Sequence, residues 1–191
     1  MANADALSAA PSVFTLPSRL ERAGLLAILG VAAALQFSIA IAQSLFAIAV
    51  LCWVALLLVR HERIAVPRFF WPLLTLAGLT LVSAVFSYEP RASLVDCKQL
   101  LLFLMVPVAY RFAGGQRVGL VLLVIVSVGA ASAAFGIVQY GILHYDHLGQ
   151  RPRGTLGHYM TYSGLLMTVI GVALAQILFG SRDRAWAALV M

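Results

Sequence analysis

An all-α fold, a polytopic transmembrane helical bundle, is what the sequence predicts, on three observations. Hydrophobic residues make up 62% of the chain and charged residues only 10%, against about 25% charged in an ordinary soluble domain. Several uncharged stretches approach or exceed the roughly 20 residues that cross a bilayer as a helix. The cations stand at the ends of those stretches, where the positive-inside rule puts them. The expected architecture is six helices plus the start of a seventh, with the N-terminus cytoplasmic.

The opening residues 1–18, MANADALSAAPSVFTLPS, carry one charged side chain, Asp5. They lack the basic region of a secretory signal, and the apolar run after Arg22 is too long for a signal core. A short disordered tail is expected there, followed by one transmembrane domain over 19–191 without an internal repeat. No charged residue separates Arg22 from Arg60. As a single helix that run would measure about 55 Å, nearly twice the hydrocarbon thickness, so it must fold as a helical hairpin. The turn is expected in its most polar part, QFSIAIAQ at 36–43.

A third helix over 69–88 opens with FFW, an interfacial aromatic anchor, and tolerates Pro72 in its first turn. It ends in SYEPRASLVDCKQ, which reads as a short amphipathic surface segment. A fourth helix over 98–113 is short and contains Pro107; snorkelling of Lys98 and Arg111 to opposite interfaces would offset its length. A tight turn at 114–117 leads to a fifth helix over 118–140, whose small residues SVGAASAAFG permit close helix packing. A sixth helix spans about 162–180. The final AWAALVM is too short to cross a bilayer, and the chain is expected to be the N-terminal part of a longer protein.

With alternating spans, the inner side holds Arg19, Arg22, Arg60, Arg63, Arg68, Arg111, Arg117, Arg182 and Arg184. The outer side holds Arg91, Lys98, Arg151 and Arg153. That imbalance makes the 141–161 loop extracytoplasmic. The net charge of +6 does not point to nucleic acid, because the basic residues form no cluster interleaved with exposed aromatics. Cys52 and Cys97 fall at different depths and are expected to be free thiols.

Polar chemistry is concentrated at 150–164, QRPRGTLGHYMTYSG. Arg151 and Arg153 flank a proline, and in an extended segment residues i and i+2 point the same way, so the two can grip one phosphate-like anion. The alternative is anchoring to lipid headgroups. Gly154 and Gly157 allow a sharp turn or a close ligand approach. His158 is either a base or phosphate donor, or a solvated or helix-capping loop residue. His144, Asp146 and His147 invite a metal reading, but zinc sites want three or four well-placed ligands, and HYDH has an unstructured look. Lys98, expected at the outer end of the fourth helix, is either an anchor or a partner of the arginines. Gln139 and Tyr140 fit an interfacial belt, and Gln36 and Gln43 fit hairpin or interhelical hydrogen bonding. No nucleotide-binding glycine loop, nucleophile elbow or carboxylate pair appears. Asp146 is the only acid in the 141–161 loop, which speaks against metal-dependent nucleotide-sugar transfer.

Four stretches together resemble the N-terminal half of the O-antigen ligase family, which includes O-antigen polymerases and protein O-oligosaccharyltransferases. They are SIAIAQSLFAIAVLCWVALLL at 38–58, FSYEPRASLVDCKQLLLFLMVPVAYR at 86–111, FGIVQY at 135–140 and RPRGTLGHYMTYSGLLM at 151–167. The resemblance implies a glycosyltransferase of the bacterial cytoplasmic (inner) membrane. Such an enzyme moves a glycan from undecaprenyl diphosphate to an acceptor, such as the sugar of lipid A–core, at the periplasmic face. It implies no metal and no cofactor. It assigns Arg151 and Arg153 to the diphosphate, with Lys98 and His158 in support, and leaves the acceptor-activating histidine to a later loop, beyond residue 191. The partners it implies are the lipid-linked donor, the acceptor and membrane lipids. A transporter or flippase fragment would place polar residues in mid-membrane, and a small non-catalytic membrane subunit would use the basic loop as an anchor.

Overall fold

The computed structural model describes residues 16–144 and 151–180, with Met191. Helix α1 runs Leu16–Ala34, so 16–18, expected as tail, are its first turn; Pro17 is accepted there because the first N–H groups have no intrahelical partner anyway. Helix α2 is Ile39–Arg60, α3 is Phe70–Val85 and α4 is Pro90–Asp96. A 3₁₀ stretch over Cys97–Leu104 leads into α5, Met105–Phe112. After a single 3₁₀ turn, Gly115–Arg117, come α6, Val118–Gly141, and α7, Tyr159–Phe179. Among the described residues there is no strand. The expected start of a further helix after residue 180 lies outside them.

Four segments are long and apolar enough to cross a membrane: Ile39–Arg60, Pro90–Phe112, Gly115–Gly141 and Tyr159–Phe179. Helix α3 is apolar but shorter, at 16 residues. Helix α1 has 19 residues, with Arg19, Glu21 and Arg22 in its first two turns. Apolar side chains such as Leu51, Leu58, Ile137, Met167 and Leu178 stay exposed, a pattern suited to lipid contact rather than to water. These features mark a membrane protein.

The α1–α2 hairpin is tighter than expected. Phe37 N and Ser38 N both donate to Ala34 O, at 2.9 and 2.8 Å, and α2 then starts at Ile39, so Gln43 lies on the helix rather than in the turn. The fourth span also differs from its sequence reading. Proline has no N–H and its ring collides with the carbonyl four residues back, so an α-helix cannot run through Pro107 past Phe103. The chain adopts 3₁₀ geometry up to Leu104, and α5 then begins two residues before the proline. The span starts at Pro90, and Lys98 therefore sits inside it rather than at its outer end.

The core lies where α1, α2 and α5 meet. Ala27, Ile28, Ala49, Trp53, Leu56, Val108 and Phe112 are buried together with Cys52. Gly24 of α1 lies against the ring of Phe112, in a space that a Cβ would fill. Full burial of a side chain such as Leu56 or Phe112 contributes about 1.5–3 kcal/mol. Both cysteines are free thiols, as expected, Cys52 within this core and Cys97 on the 3₁₀ stretch. Helix α7 packs on α6, and α3 on α4 and the 3₁₀ stretch. The small residues of α6 have the expected role: the side chain of Val169 fills the space beside Gly129, and the hydroxyl of Tyr162 that beside Gly136.

One end of the bundle is tied by an ion-pair network. Arg111 holds Glu62 in a bidentate grip, Nε to Oε2 at 2.8 Å and Nη2 to Oε1 at 3.0 Å. Glu21 receives Arg117 at 3.2 Å, Arg60 at 3.6 Å and Arg111 at 3.7 Å. Arg60 also reaches Glu62, at 3.4 Å. The start of α1, the end of α2, the end of α5 and the entry to α6 are thus fastened together. The hydrogen-bonded Arg111 guanidinium holds the Glu62 carboxyl below its ordinary range, against an opposing effect of burial.

A carboxyl whose pKa is lowered on folding stabilises the fold above its unfolded pKa and loses that contribution as pH falls through the lowered value. Melting temperature in detergent should therefore drop on acidification below about pH 4.5. Glu62→Gln should lower stability at neutral pH by about 1 kcal/mol, the upper range for part-exposed pairs, and flatten that acid limb. An unchanged acid limb in the variant would remove Glu62 as its source.

Candidate functional site

Residues 151–158 of the polar connection from α6 to α7 are tied to the bundle by side chains, Gln139 foremost. Gln139, in the last turn of α6, is 6% exposed. Its Oε1 accepts from Arg153 N at 3.1 Å and Gly154 N at 2.9 Å, and its Nε2 donates to Gly154 O at 3.0 Å. A single carboxamide thus takes the place of a neighbouring strand for the RPRG segment, meeting the need of buried backbone groups for partners. The sequence reading placed Gln139 in an interfacial belt; the structure places it beneath the loop, while Tyr140 is exposed.

Glycine is required at two points of this loop. Gly154 has φ +58° and Gly157 φ +78°, in the left-handed region where a side chain is strained. At Gly154 a Cβ would also stand 2.6 Å from the Tyr162 ring. Tyr162 is itself fixed, its hydroxyl donating to Ser132 O at 2.7 Å. A third tether crosses to the hairpin turn, where the Thr155 hydroxyl donates to Gln36 O at 3.1 Å. Gln36 is 4% exposed, and its Oε1 is buried without a hydrogen-bond partner. The loop and the α1–α2 turn therefore share one end of the bundle, opposite the ion-pair network.

On this fixed backbone Arg151 and Arg153 are both exposed. The Arg151 guanidinium lies 5.3 Å above the Tyr159 ring, in cation–π range. The His158 ring stacks beside the same tyrosine, with centroids 5.4 Å apart and planes 12° from parallel. His158 occupies the N-cap position of α7, where its side chain makes no capping bond and its carbonyl accepts from Tyr162 N at 3.1 Å. A cation, an imidazole and a phenol thus gather at the start of one helix, where the N-terminal dipole also favours an anion.

Lys98 is elsewhere. It lines a groove of about 730 Å³ between α2 and the 3₁₀ stretch, with Gln43, Phe46, Val50, Gln99 and Leu102 among its walls. Neither arginine takes part in that groove. Of the metal candidates, Asp146 and His147 lie outside the described residues, and His144 Nδ1 is 2.9 Å from Ile142 O.

Sequence reasoning missed the carboxamide clamp, although its signal was present. Val126, Gly129, Ser132, Gly136 and Gln139 recur at spacings of three and four and are the buried face of α6. A glutamine continuing such a file belongs to the packed face rather than to a belt. Comparison of the chain with protein families, with curated proteins and with solved structures finds no match in any of the three.

Replacing Gln139 with Leu would leave the Arg153 and Gly154 backbone groups unpaired, at roughly 1–3 kcal/mol for a buried donor or acceptor. Amide hydrogen exchange at 153–154 should accelerate while helical circular dichroism stays unchanged. Persisting protection at those amides would show that the loop does not depend on Gln139.

Proposed function

We propose that this chain belongs to a glycosyltransferase that takes a glycan from undecaprenyl diphosphate at the outer face of a bacterial inner membrane, with Arg151 and Arg153 contacting the diphosphate. The proposed topology has six spans and a cytoplasmic N-terminus. It puts the ion-pair network on the inner side and the 151–158 loop on the outer one, in accord with the count of cations. The proposal rests on the resemblance of four sequence stretches to O-antigen ligases and on one structural observation. Two exposed arginines stand on a backbone that Gln139, Gly154 and Gly157 hold in one shape.

Preorganisation matters to this chemistry. As the glycosidic bond breaks, negative charge builds on the departing diphosphate, and cations already in position stabilise it without having to be reoriented. An arginine on a mobile loop would lose part of that gain to ordering. His158 supports the same anion in this reading. The Lys98 groove is separate from the loop, so Lys98 is the weakest of the four assignments.

In the complete protein, Arg153→Ala and Arg151→Ala should each reduce glycan transfer about tenfold or more, the scale of one lost charge-assisted contact. Membrane insertion and expression should be unaffected. Equal transfer at matched expression would return both arginines to headgroup anchoring.

A further inference from the structure

A second polar site lies away from the arginine loop, between α3 and the α4–3₁₀ segment. It is a groove of about 610 Å³ whose walls include Thr80, Ser83, Ser87, Ser93, Asp96 and Gln99. Such a group is conspicuous in a chain only 10% charged, on a helix otherwise as apolar as FWPLLTLAGLTLVSAV.

Of the four hydroxyls that line this groove, Ser83 keeps its proton free, and the protons of the other three can be followed. A hydroxyl has one proton to donate and two lone pairs. Thr80 donates to Leu76 O at 2.8 Å. Ser87 donates to Ala84 O at 2.9 Å. In the 2.8 Å contact between Ser87 and Ser93, Ser87 has no proton left, so Ser93 must be the donor. Three hydroxyls have thus committed their protons within the protein and present only lone pairs. Asp96 adds a carboxylate. Glu21 and Glu62 are each held by arginines; Asp96, among the described residues, is in no ion pair. The end of the groove formed by Ser87, Ser93 and Asp96 accepts hydrogen bonds and carries negative charge.

We infer that the α3–α4 groove binds a protonated primary amine, its three N–H donors directed at Asp96 and at the lone pairs of Ser87 and Ser93. An ammonium group has three donors and no acceptor, the complement of that end of the groove. The amine has two natural sources in this setting, an aminoethyl lipid headgroup or a small free amine. The site is independent of the glycan-transfer reading and stands whether or not that reading does.

Quaternary ammonium provides the control, since choline carries the same charge without an N–H. The protein would be placed in nanodiscs of phosphatidylcholine containing a minor share of phosphatidylethanolamine, and the lipid retained after delipidation measured by native mass spectrometry. The wild type should retain phosphatidylethanolamine roughly fivefold over phosphatidylcholine, the scale of one net hydrogen bond that choline cannot make. Asp96→Asn should abolish that preference, and Ser93→Ala should reduce it. Adding ethanolamine to discs of pure phosphatidylcholine distinguishes the free amine: a rise in melting temperature lost in Asp96→Asn assigns the site to small amines. No headgroup preference together with no response to ethanolamine would overturn the inference, as would a preference unaltered in Asp96→Asn. Should that variant fail to fold, Ser93→Ala with Ser87→Ala carries the same comparison.

Discussion

The bidentate contact between Glu62 and Arg111 determines which helix ends meet. Glu62 follows His61, the C-cap of α2, and Arg111 stands in the last turn of α5, so their pairing brings the returning span to the end of the hairpin. Glu21 extends the fastening to α1 and, through Arg117, to the entry of α6. A lone arginine at a membrane interface is a common anchor; here two carboxylates shared among three guanidinium groups make the anchors into a joint. Cooperation also reduces the entropic cost of each pair, since a side chain held by one partner has less freedom to lose to the next.

The opposite end is organised by hydrogen bonds rather than charge. Gln139, the Tyr162 hydroxyl and Thr155 each reach a backbone group: Gln139 and Thr155 attach the α6–α7 connection to α6 and to the hairpin turn, and Tyr162 fastens α7 to α6. The approach of α6 to α7 that makes this possible depends on Gly129 and Gly136. The sequence of causes runs from small residues, to close helices, to a buried carboxamide, to a loop of defined shape carrying two arginines.

Much of this was legible in the residues. The apolar runs and their flanking cations gave the helices, and α6 was located to within one residue. Gly154 and Gly157 were readable as turn-makers because left-handed backbone favours glycine so strongly. What was not legible was pairing at a distance. Counting cations left Glu21 and Glu62 out, and no local pattern shows that a carboxylate at 62 meets a guanidinium at 111. Gln139 was assigned by its position near a helix end, when the three- and four-residue spacing of its face was the better guide. Lys98 was misplaced for a different reason: the fourth span was begun at the lysine, whereas helical structure starts at Pro90, within the surface segment expected there.

The eight 3₁₀ residues of Cys97–Leu104 set both the reach and the facing of α5. At about 2.0 Å per residue against 1.5 Å for α-helix, they extend the segment by about 4 Å. They also turn α5 about the span axis by roughly 160° relative to a continuous α-helix, since each residue advances 120° in place of 100°. The pitch ahead of Pro107 thereby sets the azimuth at which Arg111 meets Glu62.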